Sequence, residues 1–358
     1  MTFQPIEVDE RVGELTNGER VRISGFQGLL KKPMAALLAG TSVSALVLMG
    51  GTAGAASADT AAQTWWIDSC GMPTQSKGGP AKSVKVRAWT KPGNKKTVVM
   101  LDGLRATNDV SGWEHNTKVG PELAAKGVNV VQPVGGYMSY YSDWNTPDNF
   151  SNQGYTYKWD CVITKSLVEA MDKKKLRGPS GKYAIMGLSM SGSSALIIAG
   201  NNKNNFDAAA SMSGYLNLSA PGMREAIRAS MIAPMLDGGT PAMNSDAMWG
   251  PPWSTRWLDN DPFVQIHKLD GLKKLFISTG SGIPGYTATP EAILRNPALI
   301  VQGAPLEIAA SALTHAFDLQ AAVNQVPHTT YFPAQGLHDW PYWNDAVWSA
   351  YRQGFFNV

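Results

Sequence analysis

The chain has 358 residues, 44% hydrophobic and 16% charged, with Lys+Arg 31 against Asp+Glu 28 for a formal charge of +3. That suffices for a large core, and the near-balance of charge, with no long basic block, leaves nucleic-acid binding without its electrostatic footprint. Two cysteines far apart and five scattered histidines lack ligand spacing, so neither a metal nor a cofactor is expected.

Residues 1–30 are polar and mixed in charge. Lys31 and Lys32 then precede an apolar stretch from Met34 to Met49, followed by Ala53-Gly54-Ala55 and Ala56-Ser57-Ala58. Basic, apolar, then small-x-small is the order of a secretory signal peptide. The stretch is short for a membrane span and carries Thr41, Ser42 and Ser44. Residues 1–58 are therefore read as leader and signal, cleaved after Ala58 with Ala55 as the alternative. Residues 59–358 are read as one domain acting outside the cell or in its envelope. In an exported chain, Cys70 and Cys161 are expected to form one disulfide.

Ser83–Trp89 alternates apolar and polar residues, as a half-buried strand does. Apolar runs at Thr97–Leu101, Val128–Val134, Tyr183–Leu188, Phe206–Ser213, Leu275–Thr279 and Thr329–Phe332 read as further strands. Helices are expected over Trp159–Met171, Ser191–Gly200, Pro305–Gln325 and Trp340–Phe356. Alternation of strand and helix argues for a mostly parallel central sheet with helices on both faces. Glycine-rich loops recur where the strands end at their carboxyl side, the edge at which such sheets bind ligands. Leu216–Asn260, rich in Met, Pro and Trp, is expected to pass over that edge.

Within Tyr183–Gly200 (YAIMGLSMSGSSALIIAG) a strand runs into a tight turn with Ser189 at its tip and leaves as helix. This is the outline of a nucleophile elbow, whose strained turn needs small neighbours. Gly187, Ser191 and Gly192 supply them, with Ser191 where the strict pattern has Gly. A serine hydroxyl needs a base, and the base an acid, in the order Ser, acid, His. His338 fits as base: it follows a strand and a turn and opens the last helix. His267, His315 and His328 are read as structural. The acid lies among Asp259, Asp261, Glu307 and Asp318, and residue chemistry does not select one. An oxyanion hole needs two backbone N–H groups. Met190, after the nucleophile, offers one, and Leu104, in the Asp102-Gly103-Leu104-Arg105 turn, the other. Asp102 and Arg105 could also simply pair.

The segments LDGLRATNDVSGWEHNT (101–117), VVQPVGGYMSYYSDW (130–144), GLSMSGSSA (187–195), MWGPP (248–252), NDP (260–262) and GLHDWPYW (336–343) together resemble the secreted mycolyltransferases of the antigen 85 type. The resemblance covers most of 80–358. It implies an α/β-hydrolase fold and transfer of a mycolyl group between trehalose-linked lipids or onto cell-wall arabinogalactan. It implies Ser189 as nucleophile, His338 as base and Glu307 as acid, with Leu104 and Met190 as oxyanion donors. Asp102 and Arg105, and with them Asn116 and Trp340, correspond to positions at the trehalose site. Trehalose mycolates and cell-wall glycan are the implied partners, met by a monomer in peripheral contact with the mycolate envelope. The cysteine positions point to a corynebacterial-type member. Pro341 after His338-Asp339-Trp340 departs from the family pattern, as do most of Leu216–Asn260 and Ile283–Gly303.

Overall fold

Fully buried apolar runs form the middle of the sheet, because a parallel strand covered on both faces has no solvent side to alternate with. In the computed structural model, which describes residues 61–233 and 241–358, eight strands form one sheet: β1 (Gln63–Asp68), β2 (Ser83–Trp89), β3 (Lys96–Leu101), β4 (Val128–Pro133), β5 (Tyr183–Leu188), β6 (Phe206–Met212), β7 (Lys274–Ser278) and β8 (Thr329–Tyr331). Their order is β1-β2-β4-β3-β5-β6-β7-β8. β1 and β2 pair antiparallel, as do β2 and β4, and the rest are parallel. The leader and signal assigned to 1–58 lie outside the described residues.

Between the strands run α1 (Gly112–Asn116), α2 (Val119–Ala125), α3 (Trp159–Cys161), a π-helical stretch Val162–Leu167, α4 (Val168–Lys173), α5 (Met190–Asn201), α6 (Met223–Ile232), α7 (Ser245–Trp249), α8 (Arg256–Asp259), a 3₁₀ turn Ile266–Leu269, α9 (Pro290–Arg295), α10 (Ala298–Val301), α11 (Gly303–Val323) and α12 (Trp340–Arg352). Two cores cover the two sheet faces. One packs α5, through Leu196, Ile198 and Ala199, on Val99, Leu101 and Ile185. The other packs Trp343, Val347 and Ala350 of α12 on Val98, Met100 and Met186.

The expected strands and long helices are present, with shifted ends. The helix expected over Trp159–Met171 carries a wider π turn in its middle, and the closing helix stops at Arg352. Pro341 is accommodated because it lies in the first turn of α12, where its missing N–H removes no helical hydrogen bond. β1, unrecognised in the sequence, alternates with Trp65 and Ile67 turned inward.

Cys70, just after β1, is disulfide-bonded to Cys161 at the end of α3, across a sequence separation of 91. A loop that long, closed in the unfolded chain, contributes roughly 4–5 kcal/mol to stability. Cys161→Ser is therefore expected to lower thermal stability by several kcal/mol, and reductant to destabilise the parent but not the variant. Denaturation followed by circular dichroism with and without reductant checks this.

Candidate active site

The carboxyl ends of β3, β5, β6, β7 and β8 bring together residues from across the chain. Ser189, directly after β5, holds φ 52 and ψ −122, a region an L-residue occupies only when its surroundings impose it. Two glycines permit the turn. A Cβ on Gly187 would lie 2.1 Å from the Ser191 carbonyl oxygen, and one on Gly192 would lie 2.5 Å from Ser211 Oγ. Ser191, the departure from the strict motif, has its own use. Its Oγ accepts the Leu188 N–H at 2.9 Å and lies 3.1 Å from the Leu101 carbonyl, linking the elbow to the end of β3.

His338 Nε2 lies 2.8 Å from Ser189 Oγ, and its Nδ1 lies 2.7 Å from Glu307 Oε2. A carboxylate can only accept, so Nδ1 carries the proton and Nε2 is free to accept from the serine. Trp343 meets the imidazole edge-on with centroids 5.0 Å apart, and Tyr215 packs near it. The structure thus joins Ser189, His338 and Glu307 in one hydrogen-bonded chain. The other histidines lie elsewhere. His328 is bound to Asp318 at 2.7 Å, His315 contacts the Ser311 carbonyl, and His267 is exposed. Of the other acids considered, Asp261 holds the Ser219 backbone, and Asp259 is in α8.

Glu307 is fully buried. Burial pushes its carboxyl upward, but the His338 hydrogen bond and charge, with Ser213 Oγ and the Gly280 N–H, bring it below the ordinary value. Ser213 Oγ donates at 2.7 Å, Thr279 Oγ1 at 3.0 Å and Gly280 N–H at 2.5 Å, all to Oε1. Trp343 Nε1 donates to Ser213 Oγ in turn. A depressed acid stabilises the fold above its ordinary pKa and loses that contribution as pH falls through the folded value. Sequence reasoning missed this shell, because its members come from the ends of β6 and β7 and share no motif.

Leu104 and Met190 flank the serine. A Cβ on Gly103 would lie 3.7 Å from Ser189 Cβ, so the Asp102–Arg105 turn runs against the elbow. Among the described residues neither the Leu104 nor the Met190 N–H has a hydrogen-bond partner. The strained segment Met138–Tyr141 sits behind both, with φ 53, 49 and 44 at Met138, Tyr140 and Tyr141. The Met138 N–H donates to the Leu104 carbonyl, and the Tyr140 N–H to Met190 Sδ. A loop no catalytic motif marks therefore fixes both residues.

Asp102 is buried and accepts from Ser111 Oγ and the Trp113 N–H, while its Oδ2 has no partner among the described residues. Trp340 lies over Gly112, close to Asp102: a Cβ on Gly112 would sit 2.5 Å from the Trp340 ring and 3.2 Å from Asp102 Oδ1. Arg105 is exposed and makes no ion pair with Asp102, so the pairing considered from sequence is not realised. Asn116, also exposed, donates to the Gly112 carbonyl from the last turn of α1.

Burial pushes the Asp102 carboxyl up to about 7, against the lowering effect of Gly112, Ser111 and Trp113. Between 3.8 and about 7 the folded protein keeps a proton that the unfolded chain has released. Stability from this group therefore falls as pH rises through that window. Asp102→Asn is expected to stabilise the protein above pH 7 by on the order of 1–3 kcal/mol, with the gain vanishing near pH 4. Melting temperatures of both proteins across that range check it.

The putative esterase family matches residues 82–352. "Diacylglycerol acyltransferase/mycolyltransferase Ag85C" of Mycobacterium avium is 35% identical over 280 residues, covering 77% of this chain and 75% of the relative. Ag85B of Mycobacterium intracellulare, with the same descriptive name, is 32% identical over 333 residues, covering 91% and 92%. Among solved structures, Mycobacterium tuberculosis MPT51 (FbpC1) aligns with TM-score 0.60 and 24% identity over 77% of this chain and 93% of its own. An S-formylglutathione hydrolase from Agrobacterium tumefaciens aligns with TM-score 0.53 and 13% identity over 82% and 94%. These two structural likenesses concern the fold.

Proposed function

Because the chain belongs to the esterase family, among the antigen 85 mycolyltransferases, we propose that it moves a mycolyl group from trehalose monomycolate to a second trehalose monomycolate or to cell-wall arabinogalactan, through an ester on Ser189. The observation that carries this reading is the unbroken chain from Ser189 through His338 to Glu307 at 2.8 and 2.7 Å, with the acid fully buried. In the reaction, Ser189 Oγ attacks the ester carbonyl as its proton passes to His338 Nε2, and Glu307 stabilises the imidazolium. The N–H groups of Leu104 and Met190 are assigned as donors to the oxygen that gains charge. Collapse of the tetrahedral intermediate breaks the bond to the trehalose oxygen, which takes the proton from His338. An acceptor sugar hydroxyl then gives its proton to His338 and attacks the acyl ester, returning Ser189 to its starting form.

Asp102, Arg105, Asn116 and Trp340 are assigned to the sugar site. Trp340 beside the buried Asp102 offers a flat apolar face next to a hydrogen-bonding group, the pairing a sugar ring needs. The enzyme is placed in the cell envelope after removal of residues 1–58, acting as a monomer. Transfer exceeds hydrolysis when the acceptor, and not water, occupies the site above Ser189. Incubation with trehalose monomycolate is expected to yield trehalose dimycolate. Release of free mycolic acid alone would instead identify a carboxylesterase.

A further inference from the structure

Helix α5 leaves the elbow at Met190 and ends at Asn201, in the run Asn201-Asn202-Lys203-Asn204-Asn205 that the catalytic reading leaves without a use. At 1.5 Å per residue, the far end of this helix is about 18 Å from Ser189. A cavity of about 430 Å³ lies along its side, within the size range of small-molecule sites. Asn201 and Asn202 line it from α5, the stretch from Tyr140 to Asp143 from a second side, and Arg256 and Asp259 from α8. A second cavity, also of about 430 Å³, shares Asn201, Asn202 and Lys268 with the first and is lined by the whole of 200–205. The two are therefore adjacent. Several of their polar groups lack partners. Among the described residues, Arg256 Nε is buried with no hydrogen-bond partner, and the Asp160 carboxyl, which faces the first cavity, accepts no hydrogen bond. Burial, and then the Asp143 charge, push that carboxyl up to about 6 against the pull of Arg256. Asn202 donates to the Ile198 carbonyl and Asn205 accepts from Arg177, whereas the side-chain amides of Asn201 and Asn204 are unpaired among the described residues. Polar groups withdrawn from water and left unpaired in a cavity call for a ligand that pairs them.

We propose that these adjacent cavities bind an uncharged oligosaccharide, at a site separate from the sugar site assigned beside Ser189. The inference goes beyond the acyl-transfer reading and does not depend on it. Three observations select the ligand. The charge is balanced: the acids Asp143, Asp160 and Asp259 stand against the bases Arg256, Lys203 and Lys268, so neither a phosphate nor a multivalent cation is drawn in. The lining is rich in carboxyl, amide and guanidinium groups, which set donors and acceptors side by side, and a sugar hydroxyl is at once donor and acceptor. Finally, Trp249 and Arg256 both line the first cavity, and the loop 250–255 that joins them presents Trp253 at 82% exposure. An indole, apolar on its faces with one N–H at its edge, suits the mixed surface of a sugar ring. Two adjoining cavities match a ligand of linked units better than a single ring. A chain held there would leave Ser189, at the other end of α5, free to react.

The test titrates the protein, by saturation-transfer NMR, with neutral trisaccharides of glucose, galactose and arabinose, and separately with inorganic phosphate. At least one trisaccharide is expected to bind, and phosphate is not. Asp160→Ala is expected to weaken that binding about tenfold, because it removes a carboxyl that the ligand would pair. Asp102→Asn, in the sugar site beside Ser189, is expected to leave it unchanged. Circular dichroism establishes that each variant is folded. If Asp160→Ala is not, Asn201→Trp, whose ring would fill the cavity from the exposed end of α5, decides on the same readout. Failure of all three trisaccharides to bind would overturn the proposal. So would binding that Asp102→Asn abolishes and Asp160→Ala leaves intact, or phosphate binding in place of sugar. A parent that binds a trisaccharide but turns over no ester would count against the Ser189 reading and leave this site standing.

Discussion

Ser189→Ala is expected to reduce turnover of trehalose monomycolate, and of any simple ester, by about a millionfold, to the residual rate that binding and the oxyanion hole sustain without a nucleophile. The size of the effect follows from the site's construction. The strained elbow presents one hydroxyl to His338 at 2.8 Å. Ser191 is the neighbouring hydroxyl, but it is turned away: its Oγ is engaged with Leu188 and Leu101 at the base of the turn. It cannot replace the missing nucleophile. Removing Oγ also relieves no packing, so the fold should persist. A folded Ser189→Ala protein with parental thermal stability and no turnover, measured by product chromatography, is the expected pair of results.

Glu307→Gln is expected to cost about 10⁴-fold in turnover while leaving substrate affinity near the parental value. The substitution preserves shape, and its carbonyl oxygen can still accept from Ser213, Thr279 and Gly280. Its amide, however, would face His338 Nδ1 with a donor. The imidazole would then carry its proton on Nε2, where it cannot accept from Ser189. The charge that stabilises the imidazolium is lost as well. His338 and Ser189 remain in place, so a kcat loss without a matching change in KM separates this role from a structural one. Asp318→Asn, which breaks only the His328 pair at the far edge of the sheet, should leave kcat unchanged.

The elbow turn and the histidine proposed as its base were legible in the sequence because each is local. Ser189 sits between an apolar strand and an apolar helix, and His338 follows a strand and a turn at the start of the last helix. The acid was not legible from residue chemistry. Four carboxylates lay in the right interval, and only the family resemblance picked Glu307. What distinguishes it physically is burial and a set of donors from the ends of β6 and β7, which exist only once the parallel sheet aligns those ends. The Met138–Tyr141 loop that holds Leu104 and Met190, the proposed oxyanion donors, was hidden for a similar reason. Its backbone strain and its hydrogen bonds to Leu104 and Met190 have no sequence signature. Ser191 read as a harmless variation and is instead a link between β3 and β5. The central strands showed themselves as continuous apolar runs. β1 did not, because it lies at the antiparallel edge with much of its surface exposed. The short helices α9 and α10 lacked an inner face to betray them.

The proposed function rests on acyl transfer through Ser189. Its most direct test is mass spectrometry of the protein quenched in acid shortly after mixing with trehalose monomycolate, followed by mapping of the modified peptide. One mycolyl ester is expected, on the peptide carrying Ser189, that disappears with formation of dimycolate when more acceptor is added. Product formation with no acyl-enzyme at any time of quenching, or an acyl group on a different residue, would contradict it.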